Sequence, residues 1–234
     1  MQRPYAVSWS GGKDSMLSLW RLWRERGAPA ALVTTLIDDG SRTRSHRLRP
    51  EVLRAQAAAM GLRVVEVATS IADYRRHFSE ALARLRDEDG VAAVAFGDID
   101  LQAHRSWCRE VCAELALDCL HPLWEEPREA LLQEFLDAGF VTRLVAVQED
   151  KLDANLLGRN LDLDVIAEFR RARIDLCGEA GEYHTVVVDG PCFTRPLSLH
   201  ASACERADGY CFVDFSLADP ASAGLAAAGT APAG

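Results

Sequence analysis

Lysine is almost missing from this chain of 234 residues: of 26 basic residues only Lys13 and Lys151 are lysines, against 24 arginines. That skew fits a GC-rich coding sequence, and it sets the two retained lysines apart. There is no unbroken apolar run of about 18 residues, so no membrane-spanning helix is expected. Met1-Gln2-Arg3-Pro4 leads straight into a strand-like run without the charged-then-apolar layout of a signal peptide, and a cytoplasmic location is expected. The seven cysteines, at 108, 112, 119, 177, 192, 204 and 211, include no CxxC pair. This spacing argues against both a disulfide framework and a zinc site. Cys108 and Cys112, one helical turn apart, are expected on a buried apolar helix face. A formal net charge of −9 disfavours general nucleic-acid binding, which needs clustered positive charge. With 49% hydrophobic and 26% charged residues, wholesale disorder is excluded.

What is present is an alternation of strand and helix patterns. Strands are expected at 4–9, 30–37, 63–68, 91–96 and 119–121. Helices are expected at 14–26, 50–60, 128–138, over Ile71, Tyr74, Phe78, Leu82 and Leu85, and over Leu101, Cys108, Val111, Cys112 and Leu115. This pattern predicts an α/β fold, a doubly wound, Rossmann-like parallel sheet with helices on both faces. The last third reads differently: strands at 143–148, 183–188 and 210–215, with a helix over Leu163, Ile166 and Phe169, suggest a smaller mixed α/β unit. The expected division is 1–140, 141–217 and an Ala/Gly-rich disordered tail at 218–234.

Between the first strand and the first helix lies Ser10-Gly11-Gly12-Lys13-Asp14-Ser15. In an open α/β sheet, ligands bind beyond the carboxyl ends of the strands. Two glycines let backbone N–H groups turn toward an anion, and the following helix points its positive end at the same place. Ser10 and Ser15 add hydroxyls and Lys13 a charge. The set describes a phosphate cradle; the plain alternative is a tight turn whose Ser10 and Asp14 cap a helix. The spacing is neither that of a Walker A loop nor that of the dinucleotide GxGxxG fingerprint.

The hexapeptide resembles the pyrophosphate-binding loop of the N-type ATP pyrophosphatases, the PP-loop superfamily that includes GMP, NAD and asparagine synthetases and tRNA-thiolating enzymes. Further on stand Gly97-Asp98-Ile99, Pro122-Leu123-Trp124, Leu157-Gly158-Arg159, Cys177-Gly178-Glu179-Ala180-Gly181-Glu182-Tyr183-His184-Thr185 and Val188-Asp189-Gly190-Pro191. In that order they resemble the diphthine–ammonia ligase family, over about Tyr5 to Pro196. His184 stands where the family often carries Glu, and Asp98 to Arg105 departs from the archaeal and eukaryotic pattern; both point to a bacterial branch.

The resemblance implies an adenine nucleotide α-hydrolase-like sheet and ATP cleaved between its α- and β-phosphates. A carboxylate is adenylated and ammonia displaces AMP. In the family the acceptor is diphthine on elongation factor 2, which a bacterial branch would replace. It implies that Gly11 and Gly12 present N–H groups to the pyrophosphate, with Ser10, Lys13 and Ser15 on its oxygens. Asp14 and Asp98 are the Mg²⁺ candidates, Asp98 being alternatively a helix cap, and Gly97 admits the nucleotide. Lys13, Asp14, Glu179 and Glu182 are the catalytic candidates, the glutamates to hold or deprotonate ammonium or, more plainly, as surface turn acids. His46, Arg159 and Tyr183 are the substrate-side candidates. Arg42, Arg44, Arg47 and Arg49 form either a solvated loop or a flexible lid over the anionic substrate.

A glutamine-hydrolysing domain would need its own nucleophilic Cys and about a domain of extra chain, so free ammonia is the expected nitrogen source. Two other readings stay open: a tRNA-modifying adenylating enzyme of the PP-loop class, and a nucleotide-binding sensor without turnover. A homodimer is one possible assembly.

Overall fold

A computed structural model describes residues 3–218. Apart from Ala218, the expected tail lies outside these residues. β1 (Tyr5–Ser8), β2 (Ala31–Leu36), β3 (Val64–Ala68), β4 (Ala93–Ala95) and β5 (Asp118–Leu120) form one parallel sheet in the order β3-β2-β1-β4-β5. Successive strand residues point to opposite faces, so Tyr5 and Val7 enter one apolar cluster and Ala6 the other. Helices α1 (Lys13–Arg26) and α2 (Pro50–Ala59) cover the first face, α3 (Tyr74–Asp89) and α4 (Gln102–Glu114) the second. Both faces are therefore buried, which is why β1, β2 and β4 read as apolar runs. The sheet is the expected doubly wound α/β type.

The chain continues through α5 (Arg128–Asp137) into a second sheet with no parallel pairing. β6 (Val141–Gln148), β7 (Tyr183–Asp189), β8 (Leu199–Ala207) and β9 (Tyr210–Leu217) lie antiparallel in the order β7-β6-β9-β8, with α6 (Leu163–Ala172) between β6 and β7 in sequence. β8 was not expected: its Leu-His-Ala-Ser-Ala-Cys-Glu-Arg-Ala run has no apolar alternation, because it is an edge strand that pairs only with β9. Ile71 and Leu163 also differ from expectation, being 79% and 70% exposed. Ile71 precedes α3 in a turn where the Ser70 hydroxyl accepts the Asp73 N–H at 3.0 Å. Among the described residues no helix is long and apolar enough to cross a membrane.

The second sheet meets the first beside the candidate loop. β7 pairs with β6 along one edge, and its other edge meets the loop after β1. Val187 N–H donates to the Gly11 carbonyl at 2.9 Å, and Lys13 N–H donates to Thr185 Oγ1 at 3.1 Å. Gln56 of α2, fully buried, closes the junction. Its Nε2 donates to the carbonyls of Gly11 (2.9 Å) and Val187 (2.7 Å), and its Oε1 accepts from Trp9 Nε1 at 3.1 Å. Replacing Gln56 with Leu would leave the Trp9 indole N–H and the Val187 carbonyl buried without this partner, each such group costing ~1–3 kcal/mol, while the Gly11 carbonyl keeps the Val187 N–H. We expect Gln56→Leu to lower the unfolding free energy by about 2–4 kcal/mol in urea denaturation at an unchanged slope; a loss below about 0.5 kcal/mol would show that the junction does not hold the loop.

Candidate active site

The strand order reverses between β1 and β4, which makes the carboxyl ends of these two strands the switch point of the sheet. A cavity of about 660 Å³ opens there, walled by the loops after β1, β2 and β4 and by the 177–185 segment that leads into β7. Ser10, Lys13, Asp14, Ser15, His46, Gly97, Asp98, Glu179 and Tyr183 all line it. Residues separated by more than 160 positions thus meet around one space.

Gly11 and Gly12 form the loop behind that wall. Gly11 adopts φ +81°, and a Cβ there would stand 2.7 Å from Leu53 and 2.8 Å from Gln56 Oε1, so any other residue would be strained and would push these side chains aside. Gly12 caps α1 without a side-chain bond, and its N–H reaches the Ser10 hydroxyl at 3.3 Å. The Ser10 and Ser15 hydroxyls lie 3.1 Å apart. Gly97 has a local duty: a Cβ would lie 2.9 Å from the Asp14 carbonyl carbon and the Ser15 nitrogen, so glycine lets the end of β4 approach the start of α1.

Two candidates are not brought to the cavity. Arg159 pairs with Glu168 at 2.7 Å. Glu182 is buried below the wall, where Oε1 lies 3.8 Å from Lys151 Nζ and 3.5 Å from the Asp175 N–H. The arginine loop is also no free lid. Arg42 and Arg49 both bind Asp214 on β9, and their hydrogen bonds hold its carboxyl well below the usual range. Arg47 lies over the Phe212 ring at 4.5 Å. Of this patch Arg44 lines the cavity; Nη2 donates to the Thr69 carbonyl at 2.8 Å, and its buried Nε has no partner among the described residues.

Charge in the cavity is tightly coupled. Lys13 is 4% exposed, and its Nζ donates to both Asp14 oxygens, at 2.9 and 2.7 Å, and to the Cys177 carbonyl. Burial works against its charge, but the Asp14 carboxylate outweighs that and keeps it protonated. The Tyr183 ring lies 5.3 Å from the same Nζ. The imidazoles of His46 and His184 are 4.6 Å apart, and burial, with the nearby cation, holds His184 at about 4 and His46 well below its ordinary value. Both are neutral at pH 7. Glu179 goes the other way, pushed up to about 7 by burial and by the Asp14 charge.

Sequence reading overlooked Thr34, Thr35, Tyr74 and His104, all on the cavity wall. The two threonines stand at the end of β2 and were readable as a polar break in an apolar strand. Tyr74 and His104 carried no local signal.

Residues 3–119 match the family model of the diphthamide synthase N-terminal domain, and residues 127–215 that of its C-terminal domain. The chain belongs to the diphthamide synthase family. Among curated relatives, the diphthine–ammonia ligase of Homo sapiens is 28% identical over 127 residues, covering 53% of this chain and 48% of that protein. That of Danio rerio is 31% identical over 129 residues, covering 53% and 50%. The chain thus spans about half the length of these family relatives. A solved structure described as a predicted subunit of tRNA methyltransferase, from Methanocaldococcus jannaschii, aligns over 81% of this chain and 98% of its own at 16% identity and TM-score 0.47, a likeness on which nothing below rests.

The raised Glu179 carboxyl makes a pH prediction. A carboxyl with an ordinary value of 4.5 and a folded value of about 7 binds more protons folded than unfolded in that window. Its contribution to stability therefore falls as pH rises from about 4.5 through 7. Thermal unfolding between about pH 5 and pH 8 should show wild type losing stability relative to Glu179→Gln; parallel profiles would mean that Glu179 titrates normally.

Proposed function

We propose that this family member is an ATP-dependent, AMP-forming ligase that adenylates a carboxylate and transfers ammonia to it; the relatives' name, diphthine–ammonia ligase, supports the ligase and ammonia parts of this reading. The observation that supports this reading best is the start of α1 at the switch point, whose N-cap glycine makes no side-chain bond, with the Ser10 and Ser15 hydroxyls, a buried protonated lysine and three carboxylates around one cavity. Pyrophosphate is the anion that such a loop suits. The Asp14 and Ser15 amides in the first turn of α1 and the Ser10 and Ser15 hydroxyls take its oxygens, while Thr185 holds the Lys13 amide. Lys13 moves part of its hydrogen bonding from Asp14 to phosphate.

The acceptor carboxylate oxygen attacks the α-phosphorus, the bond to the bridging oxygen breaks, and pyrophosphate leaves. Ammonia then attacks the acyl carbon, and AMP leaves with the acceptor's oxygen. Ammonium must first lose a proton, and Glu179, poised near pH 7, is the base for it. Arg44, which lines the wall, is the contact for the acceptor or the adenylate.

Magnesium fits one of its two expected sites better than the other. Asp14 sits in the loop with its carboxylate 32% exposed, and Glu179 lies close enough to feel its charge. The hard oxygens of Asp14 would be the ligands for Mg²⁺, which would neutralise the phosphates, and Glu179 keeps its role as base. Asp98 turns its oxygens to His104 Nδ1 at 3.2 Å and toward His121 Nε2 and the Cys108 sulfur, surroundings that a hard ion does not favour.

The test is product analysis with a panel of carboxylate acceptors and ammonium. AMP and pyrophosphate should appear together, and Ser15→Ala and Asp14→Asn should each lower the rate, the latter by about 100-fold, as removal of a transition-state charge contact does. ADP and phosphate would overturn the ligase reading. Tight ATP binding with no turnover on any acceptor would favour a sensor.

A further inference from the structure

Behind the cavity wall, three side chains from three elements converge. Asp98 follows β4, Cys108 lies on the buried face of α4, and His121 follows β5. Their ligand atoms all lie within 4.8 Å of one another: Asp98 Oδ2 is 3.8 Å from His121 Nε2 and 3.9 Å from Cys108 Sγ. The donors around a tetrahedral zinc ion lie roughly 3.3–3.8 Å apart by its bond lengths, so closing the set needs shifts of about an ångström.

A second observation points into the same space. The His121 side chain is 4% exposed, and its Nε2 has no hydrogen-bond partner among the described residues. A buried imidazole nitrogen without a partner is costly. A proton on it would face Asp98 Oδ2 at 3.8 Å, too far for a hydrogen bond. The ring is held in this pose: it stacks on Phe96 at 5.5 Å and meets Trp124 edge-on at 5.7 Å. Its Nδ1 lies 3.7 Å from the Cys119 sulfur, which leaves Nε2 as the nitrogen turned toward Asp98.

We propose that Asp98, Cys108 and His121 bind one zinc-class divalent ion, with water in the fourth position. A thiolate, an imidazole and a carboxylate together select Zn²⁺ over Mg²⁺. On binding, the Cys108 thiol gives its proton to solvent, and a sulfur–metal bond replaces the S–H bond. The spacing argument against zinc covers ligands close in sequence; these are spread over 24 positions and meet only in the fold. Because Asp98 belongs to the cavity wall as well, the ion ties the 97–101 loop to α4 and β5. The proposal does not depend on the ligase reading.

The test uses the full chain, reduced, stripped with a chelator and then loaded with Zn²⁺ or, for absorption, Co²⁺. One ion per chain should survive gel filtration, the melting temperature should rise with Zn²⁺, and Co²⁺ should give a thiolate charge-transfer band. Cys108→Ser, a one-atom change, should abolish the band and the rise in melting temperature. His121→Gln should weaken binding at least about tenfold, and Cys204→Ser should change nothing. Failure to retain an ion, an unmoved wild-type melting temperature, a band that survives Cys108→Ser, or displacement of Zn²⁺ by excess Mg²⁺ would each overturn the proposal.

Discussion

The contact on which the molecule depends is the seam between the β7 edge and the loop after β1. Gly11 needs a left-handed backbone and no side chain, and its carbonyl is then claimed by two donors, Val187 N–H and Gln56 Nε2. Thr185 takes the Lys13 N–H from the same edge. A glycine-rich loop is entropically expensive to order, and here the cost is offset by hydrogen bonds in a dry setting, where they are stronger than in water. The same seam brings the 177–185 segment over the loop. Without it the first sheet would hold a phosphate turn with no far wall, and Glu179 would stand in solvent with an ordinary carboxyl.

The electrostatics follow from that enclosure. Lys13 and Arg44 stand against Asp14, Asp98 and Glu179 on the cavity wall, so the cavity has one carboxyl more than it has permanent cations. Two neutral histidines add none back. Such an arrangement suits a ligand that arrives with its own cation, and it gives one carboxyl a proton to exchange near neutral pH. Acid–base capacity is thereby concentrated in Glu179, on a turn that the loop itself holds in place.

Much of this was legible in the sequence because it is local. Ser10 to Ser15 sits between an apolar strand and an amphipathic helix, and that order alone places it at the carboxyl edge of the sheet. Glu179 and Glu182 looked equivalent on a Gly-broken turn; one faces the cavity and the other lies buried beneath it, a distinction set by the direction of the turn and invisible to spacing. Arg159 and the arginine loop misled for a related reason, since their partners Glu168 and Asp214 are fixed by packing and, for Asp214, lie more than 160 residues away. Cys108 was rightly placed on a buried helix face, yet its meeting with Asp98 and His121 needs three strands and helices to be in register. β8 gave no signal because an edge strand in water has no apolar face to alternate.

The central claim is that the Ser10–Ser15 turn grips the outer phosphates of ATP. A crystal structure with a non-hydrolysable ATP analogue and Mg²⁺ tests it most directly. The account predicts the β- and γ-phosphates against the amides of that turn, with the Ser10 and Ser15 hydroxyls in contact. A triphosphate seated elsewhere, with the turn bare, would contradict it.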